Sequence, residues 1–375
     1  MIAPAASVEP YDALLVVSFG GPERPVDVLP FLENVTRGRG VPRERLDEVA
    51  RHYDAFGGRS PINDQNRALI EALEHDLDRA GLSVPIYWGN RNWHPFLADE
   101  LTRMREDGVR RAAAFVTSAY ASYAGCRQYR EDLAAAATTV GTDAPRIDRL
   151  RHCFDHPGFV RANADGVVGA LGDLPRDVVA GARLVFVTHS IPSAMARTAG
   201  AGGGAYEAQH RAVAAAVTAD VEVRMGTRHE YDLVYCSRSG PPQVPWLEPD
   251  VNEHLEKLAA QGVPAAVLAP IGFVSDHMEV VFDLDTEALT TARRVGLPVA
   301  RAATAGTHPA FVAAIRDLFL ERATVERGEP VRRASVGAPG PSHDVCPVGC
   351  CPNPRGHRPA SGGEDAPGMV AGSPQ

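Results

Sequence analysis

The sequence predicts an α/β protein of two similar open domains, each with a mainly four-stranded parallel sheet flanked by helices, and an active-site cleft between them. Eight short apolar runs rich in β-branched residues alternate with longer amphipathic stretches, as parallel strands covered by helices do. The runs fall into two groups of four, at 13–19, 84–89, 113–118 and 146–151, then at 183–188, 233–237, 265–269 and 298–303. Polar motifs rich in glycine and proline follow several runs directly, at the carboxyl ends where open parallel sheets bind their ligands. The Rossmann-like halves are expected at 9–165 and 166–306. A final helix at 307–327 is expected to pack back on the first half, ahead of a tail at 328–375.

The first run leads into Ser18-Phe19-Gly20-Gly21-Pro22, which lacks the GxGxxG spacing, so its proline-bearing turn serves another purpose than dinucleotide binding. Gly57-Gly58-Arg59-Ser60-Pro61-Ile62 precedes a helix expected at 63–80. The third run ends in Ser118-Ala119-Tyr120-Ala121-Ser122-Tyr123, which puts Tyr120, Tyr123 and Arg127 at a strand's carboxyl end; Cys153 follows the fourth run. The fifth run closes in Thr188-His189-Ser190-Ile191-Pro192. The glycine run 199–204 lacks the Lys-Ser/Thr of a phosphate loop and reads as a flexible surface loop before a helix at 206–219. After the sixth run come Ser237-Arg238-Ser239-Gly240-Pro241 and Pro245-Trp246-Leu247. The seventh is followed by Ser275-Asp276-His277-Met278-Glu279, where Ser275 is the expected helix N-cap, and further helix is expected at 286–295.

Glu279, Asp283 and Glu287 recur at i, i+4, i+8, which stacks three carboxylates on one helical face. Like charges at that spacing repel, so the row gains nothing structurally; it suits the holding of a divalent cation or the passing of protons. A solvated acidic face would show the same spacing. His189, at a strand's carboxyl end, has an imidazole able to accept a proton near neutrality or to bind a transition metal. A lone histidine there would more often be structural, whereas two polar clusters at two strand ends make one candidate site. His277, two residues from Glu279, diverges from it by about 160–200° on a regular helix. It reads equally as a site residue and as a helix cap.

His-Ser-Ile-Pro after a strand, Ser-Asp-His-x-Glu with spaced acids, Ser-Phe-Gly-Gly-Pro, Gly-Gly-x-Ser-Pro-Ile and Ser-Arg-Ser-Gly-Pro leading to Pro-Trp-Leu occur here in one order. In these motifs the chain, over roughly residues 11–325, resembles the ferrochelatases, which insert ferrous iron into porphyrins. The resemblance implies His189 and Glu279 as catalytic residues, and these two with Asp283 and Glu287 as the path of the Fe(II) substrate or of protons. It implies a local π-helical widening under those acids. For the porphyrin it implies Arg37, Arg39, Ser60 and His277; Phe19, directly after the first strand, is placed to lie against one face, and Tyr120, Tyr123 and Arg127, at a strand's carboxyl end, are expected as cleft residues. Some relatives carry tyrosine where this chain has Phe19, and phenylalanine offers no oxygen ligand, which shifts the metal chemistry toward His189. A chelatase for cobalt or nickel and an open tetrapyrrole, or a noncatalytic haem sensor, would be the other classes of function.

At 375 residues and 45% hydrophobic content the chain can bury two cores. A net charge of −9 argues against nucleic-acid binding. Neither a signal peptide nor an apolar window of membrane-spanning length is read, so a cytoplasmic protein is expected. Three of the six cysteines, Cys346, Cys350 and Cys351, cluster in the tail, which in such a compartment indicates a metal. Cys153 is the expected fourth ligand; Cys126 and Cys236 read as small buried residues. The tail resembles that of actinobacterial ferrochelatases, which implies a [2Fe–2S] cluster; zinc is the alternative, with His343 or His357 able to replace one sulfur. After Arg358 a disordered end is expected. The same branch implies coproporphyrin III as substrate, with protoporphyrin IX as the alternative, a monomer, and handover of coprohaem to a decarboxylase.

Overall fold

The computed structural model describes residues 6–337 and 340–363. Two four-stranded, wholly parallel sheets form. The first has the order β2-β1-β3-β4, with β1 at Ala13–Ser18, β2 at Ile86–Asn90, β3 at Arg111–Val116 and β4 at Arg146–Arg149. The second has the order β6-β5-β7-β8, with β5 at Arg183–His189, β6 at Tyr231–Cys236, β7 at Ala266–Ala269 and β8 at Val299–Arg301. In each sheet the first strand of the half lies centrally, so β1 and β5 are hydrogen-bonded on both edges. Every residue of β1 is buried, and so are Leu184–Thr188 of β5, as the near-continuous apolar runs require.

The helix Pro157–Asp173 connects the halves. Its inner face joins Phe159, Val167 and Leu171 to Phe115 of the first sheet and Phe186 of the second in one continuous core. The C-terminal helix Pro309–Glu326, capped by His308 Nδ1 accepting from the Ala310 amide at 3.2 Å, lies against the first sheet: Phe311 meets Phe115 with ring centroids 6.1 Å apart. Gly158 lets this helix close on the connecting one, since a β-carbon there would lie 2.2 Å from the Ala310 carbonyl oxygen.

Two local expectations need correcting, and a third is met. Ser275 does not cap the acidic helix; the helix begins at Met278, and His277 caps it through Nδ1, which accepts from the Glu279 amide at 3.2 Å. The π-helical widening that the resemblance implied is present: Met278–Phe282 is α-helical, Asp283–Ala288 is π-helical, and Leu289–Val295 is α-helical again. The chain after Arg358 does not become disordered at once. Ala360 is fully buried, the Ser361 amide donates to the Arg130 carbonyl at 2.9 Å, and Gly363 bridges to Cys346; the expectation for 364–375 lies outside the described residues. Among the described residues no helix is long and apolar enough to cross a membrane.

Candidate active site

His189 is the last residue of β5, and the chain turns away immediately after it. The Tyr206 hydroxyl donates to the His189 carbonyl at 2.7 Å. Behind it, Thr188 Oγ1 lies 2.9 Å from that hydroxyl and 2.8 Å from His210 Nε2. His210 Nδ1 donates to the Tyr206 carbonyl at 2.7 Å, so its Nε2 is the acceptor, and burial holds this ring neutral with its pKa pushed down to about 3. The His189 ring is oriented the same way. Nδ1 faces the Ser190 carbonyl, which can only accept, so Nε2 is turned to Glu279 Oε1, 3.3 Å away.

Glu279 owes its place to the His277 cap and to Met278, which anchors the first turn in an aromatic-rich cluster with Phe31 and Tyr53. Phe19 packs on the same cluster. The π-helical segment then carries Asp283, whose carboxylate receives the hydroxyl of Ser237 from the end of β6. Ser237 has a φ of +62°, a conformation costly for a non-glycine residue and imposed where the chain leaves the sheet. Arg301 braces the loop and the π segment together, with Nη1 3.2 Å from Asp276 and Nε 2.6 Å from Asp285. Glu287 is exposed at the outer end of the acidic row.

The charges interact strongly. Burial pulls the His189 imidazole down, but the Glu279 carboxylate and the bonds to Glu279 and Ser190 outweigh it and lift the pKa to about 9. Glu279 is partly exposed; desolvation in the site would raise it, but the charge and hydrogen bond of His189 bring it to about 2. In the free protein these two are an ion pair. Asp283 is different: burial first, then the charges of Glu279 and Glu287, push it up to about 7 despite the Ser237 bond. Glu287 is raised too, chiefly by desolvation. The row therefore holds a carboxyl that exchanges its proton near neutrality beside a histidine that is already charged.

Several expected porphyrin contacts lie elsewhere. Tyr120 is 3% exposed, stacked on His210 with centroids 3.6 Å apart, and its hydroxyl donates to the Ile271 carbonyl at 2.9 Å; it joins the two halves and does not line the cleft. Ser60 is buried beneath the Gly20-Gly21 turn, where its amide donates to the Pro22 carbonyl at 2.8 Å, so it supports the turn. Tyr123 and Arg127 are covered by the tail: Arg127 Nε donates to Glu131 at 3.2 Å and Nη2 to the Arg358 carbonyl at 2.9 Å. Arg37 and Arg39 differ from these: they are exposed on the loop after the helix Val28–Val35, as a role at the substrate's rim requires. The sequence reading missed Ser237, although its motif was noted, and missed Tyr206 and His210, which ordinary helix periodicity conceals.

The fourth sulfur is the main correction. Cys126, Cys346, Cys350 and Cys351 form one buried cluster, whereas Cys153 sits in the main core beside Phe154, where burial raises its thiol to about 12. Cys126 is brought there by the π-helical turn Tyr123–Arg127 after β3, whose cap is Ser122 Oγ accepting from the Gly125 amide at 2.8 Å. Cys350 Sγ lies 4.0 Å from Cys351 Sγ and 3.9 Å from His343 Nε2, and the ligand atoms of His343, Cys346 and Cys350 all lie within 4.8 Å of one another. The Gly200 amide donates to Cys351 Sγ at 3.0 Å, so the glycine run is part of this enclosure and not a free loop. Arg149 is buried with one guanidinium nitrogen 3.6 Å from Cys346 Sγ and its Nε unpartnered. Four converging sulfurs, a histidine and a buried cation compensating negative charge suit a thiolate-bound metal.

Residues 11–323 match the family model described as Ferrochelatase. A protein of Streptomyces griseus subsp. griseus named coproporphyrin III ferrochelatase is 59% identical over 366 residues, covering 96% of this chain and 97% of that protein. Its counterpart of the same name in Streptomyces coelicolor is 58% identical with the same coverage. The coproporphyrin III ferrochelatase of Frankia alni is 54% identical over 354 residues, 94% of this chain and 88% of that one.

Proposed function

Since the chain belongs to the ferrochelatase family, we propose that it inserts Fe(II) into coproporphyrin III to give coprohaem, with His189 and Glu279 as the catalytic pair. The observation that carries this reading is the His189–Glu279 contact at 3.3 Å, at the carboxyl end of β5 and at the head of an acidic row. The four-propionate substrate is supported by the names of relatives at 54–59% identity.

Insertion exchanges one Fe(II) for two pyrrole protons, so the site must receive a dication and dispose of two protons. In the free protein the proton on His189 occupies the nitrogen that faces Glu279. Fe(II) arriving along Glu287 and Asp283 competes with that proton, because a cation beside the imidazole opposes its protonation. Displaced, the proton has an acceptor in Asp283, which titrates at about 7. Asp283 releases that proton to solvent past the exposed Glu287, and His189, now neutral, can take the two pyrrole protons in turn from the macrocycle face, passing the first along the same row before accepting the second. Phe19 and the aromatic cluster behind it offer an apolar wall on which the macrocycle can be held away from planarity.

The tail site is part of the same proposal: Cys126, Cys346, Cys350 and Cys351 hold a [2Fe–2S] cluster, with zinc on the same sulfurs as the alternative. Bound there, the group supplies a cross-link between the tail and the π-helical turn and, if it is the cluster, a one-electron couple. We further assign the protein to the cytoplasm, as a monomer whose product passes to a decarboxylase. Anaerobic Fe(II) insertion, run side by side with coproporphyrin III and protoporphyrin IX, tests the reading. Faster turnover of coproporphyrin is expected; a preference for protoporphyrin would overturn the substrate assignment, and no insertion into either would overturn the chelatase.

A further inference from the structure

We propose that Arg149 sets the electron affinity of the group bound by Cys126, Cys346, Cys350 and Cys351, donating to it and favouring its one-electron-reduced form, an inference that rests on the cluster reading above. Arg149 is the last residue of the edge strand β4 and only 3% exposed. Other buried arginines are paired with carboxylates: Arg127 with Glu131 at 3.2 Å, Arg151 with Asp155 at 2.8 Å and Glu321 at 2.6 Å, and Arg322 with Glu326 at 2.6 Å. Among the described residues the Arg149 side chain meets no carboxylate. Its partner is sulfur: Nη2 lies 3.6 Å from Cys346 Sγ, and the buried Nε has no acceptor. A guanidinium cannot shed its proton to escape burial, so an uncompensated one is costly. The fold nevertheless closes over it. The Cys346 amide donates to the Gly362 carbonyl at 3.4 Å, a β-carbon at Gly362 would lie 3.7 Å from the Arg149 amide nitrogen, and Ala360 is fully buried.

The bound group supplies the missing counter-charge. Four thiolates with a diferric, two-sulfide core carry a double negative charge, which becomes triple when one Fe(III) takes an electron and becomes Fe(II) with no ligand lost. A fixed cation within reach of a ligand sulfur stabilises the triply charged form more than the doubly charged one. Burial keeps water from screening that difference. The bridging sulfides accept hydrogen bonds as well, a class of acceptor that zinc on the same four sulfurs would not bring to the idle Nε. The Gly200 amide, 3.0 Å from Cys351 Sγ, is a neutral donor. A charged donor is roughly twice as strong as a neutral one, so the larger influence on the couple belongs to Arg149.

The test uses the full chain, purified without air, with its cysteine-bound group in place. Iron, acid-labile sulfide and zinc are counted first. Absorption and EPR are then followed as dithionite delivers single electrons, its SO2 radical anion being oxidised to sulfite. In Arg149→Met the ratio of reduced to oxidised group at a fixed potential is expected to fall about 30-fold, a lowering of about 90 mV for a one-electron couple. Arg149→Lys keeps the charge but loses the fork, and its ratio should fall only about threefold. An arginine that merely supports the fold would lower the iron content and leave the potential of the loaded fraction unchanged, and that result would overturn the proposal. A second readout needs no variant: in wild-type protein labelled with 15N at the arginine guanidinium, pulsed EPR of the reduced group should show a 15N coupling. Should Arg149→Met fail to load, this coupling decides, and its absence would overturn the proposal. Zinc in place of iron and sulfide would overturn the cluster reading and the proposal with it, whereas iron and sulfide at an unmoved potential would overturn the proposal alone.

Discussion

At the scale of residues, the site combines a charged pair with a carboxyl poised near neutrality. Replacing His189 by alanine removes the proposed acceptor of the pyrrole protons, and should cut insertion by about 10²–10⁴-fold while porphyrin quenching persists. Retention of most of the rate would remove His189 from the mechanism. The ion pair contributes most to stability between the ordinary values of its partners. The His189 contribution is complete below pH 6.5 and is lost as pH rises through about 9; that of Glu279 is present above 4.5 and is lost as pH falls through about 2. Asp283 has its folded pKa raised, so its favourable contribution exists below about 3.8 and disappears as pH climbs through about 7. Asp283→Asn stays neutral throughout. Its Tm should exceed that of the wild type at pH 8, with the gain shrinking toward pH 4, and its pH–rate profile should lack the limb near 7. A variant whose rate profile keeps that limb would place the titration on another group.

At the scale of elements, two π-helical segments do the positioning. Asp283–Ala288 swings the acidic row relative to a regular helix, and Tyr123–Arg127 turns Cys126 toward the tail. A π segment costs hydrogen-bond geometry and tends to survive where it aims a functional group. The second segment yields a sharp contrast between two cysteines separated by little in sequence. Cys126→Ser should abolish the absorption of the tail-bound group and lower its iron or zinc content in metal analysis, because a buried thiolate is lost. Cys153→Ser should retain both, at a modest cost in stability from a hydroxyl placed in an apolar core. The reverse result would restore Cys153 as the ligand.

At the scale of the whole molecule, one core runs through both sheets by way of the connecting helix, and the C-terminal helix seals it from the first half's side. The close crossing at Gly158 is the point where this assembly has least tolerance. Gly158→Ala sets a methyl against the Ala310 carbonyl and should destabilise the fold by about 1–3 kcal/mol in urea titration; an unchanged midpoint would show that the helices can part at no cost. The two-sheet architecture was legible in the sequence because strands buried on both faces must be continuous apolar runs, and eight were present. The same holds for His189 and the acids from Glu279 to Glu287, which stand at strand ends or recur at helical spacing. What the sequence could not rank were Cys126 against Cys153, or Tyr120 as a brace against Tyr120 as a cleft residue. Each pair follows the same kind of strand end, and one-dimensional spacing carries no information about which side chain a turn rotates outward. The cap at His277, the π-helical register of Asp283 and the seating of residues 359–363 depend likewise on where hydrogen-bond partners arrive from distant segments. Local pattern fixes which residues must be buried or polar; only the closed tertiary structure decides which of them meet.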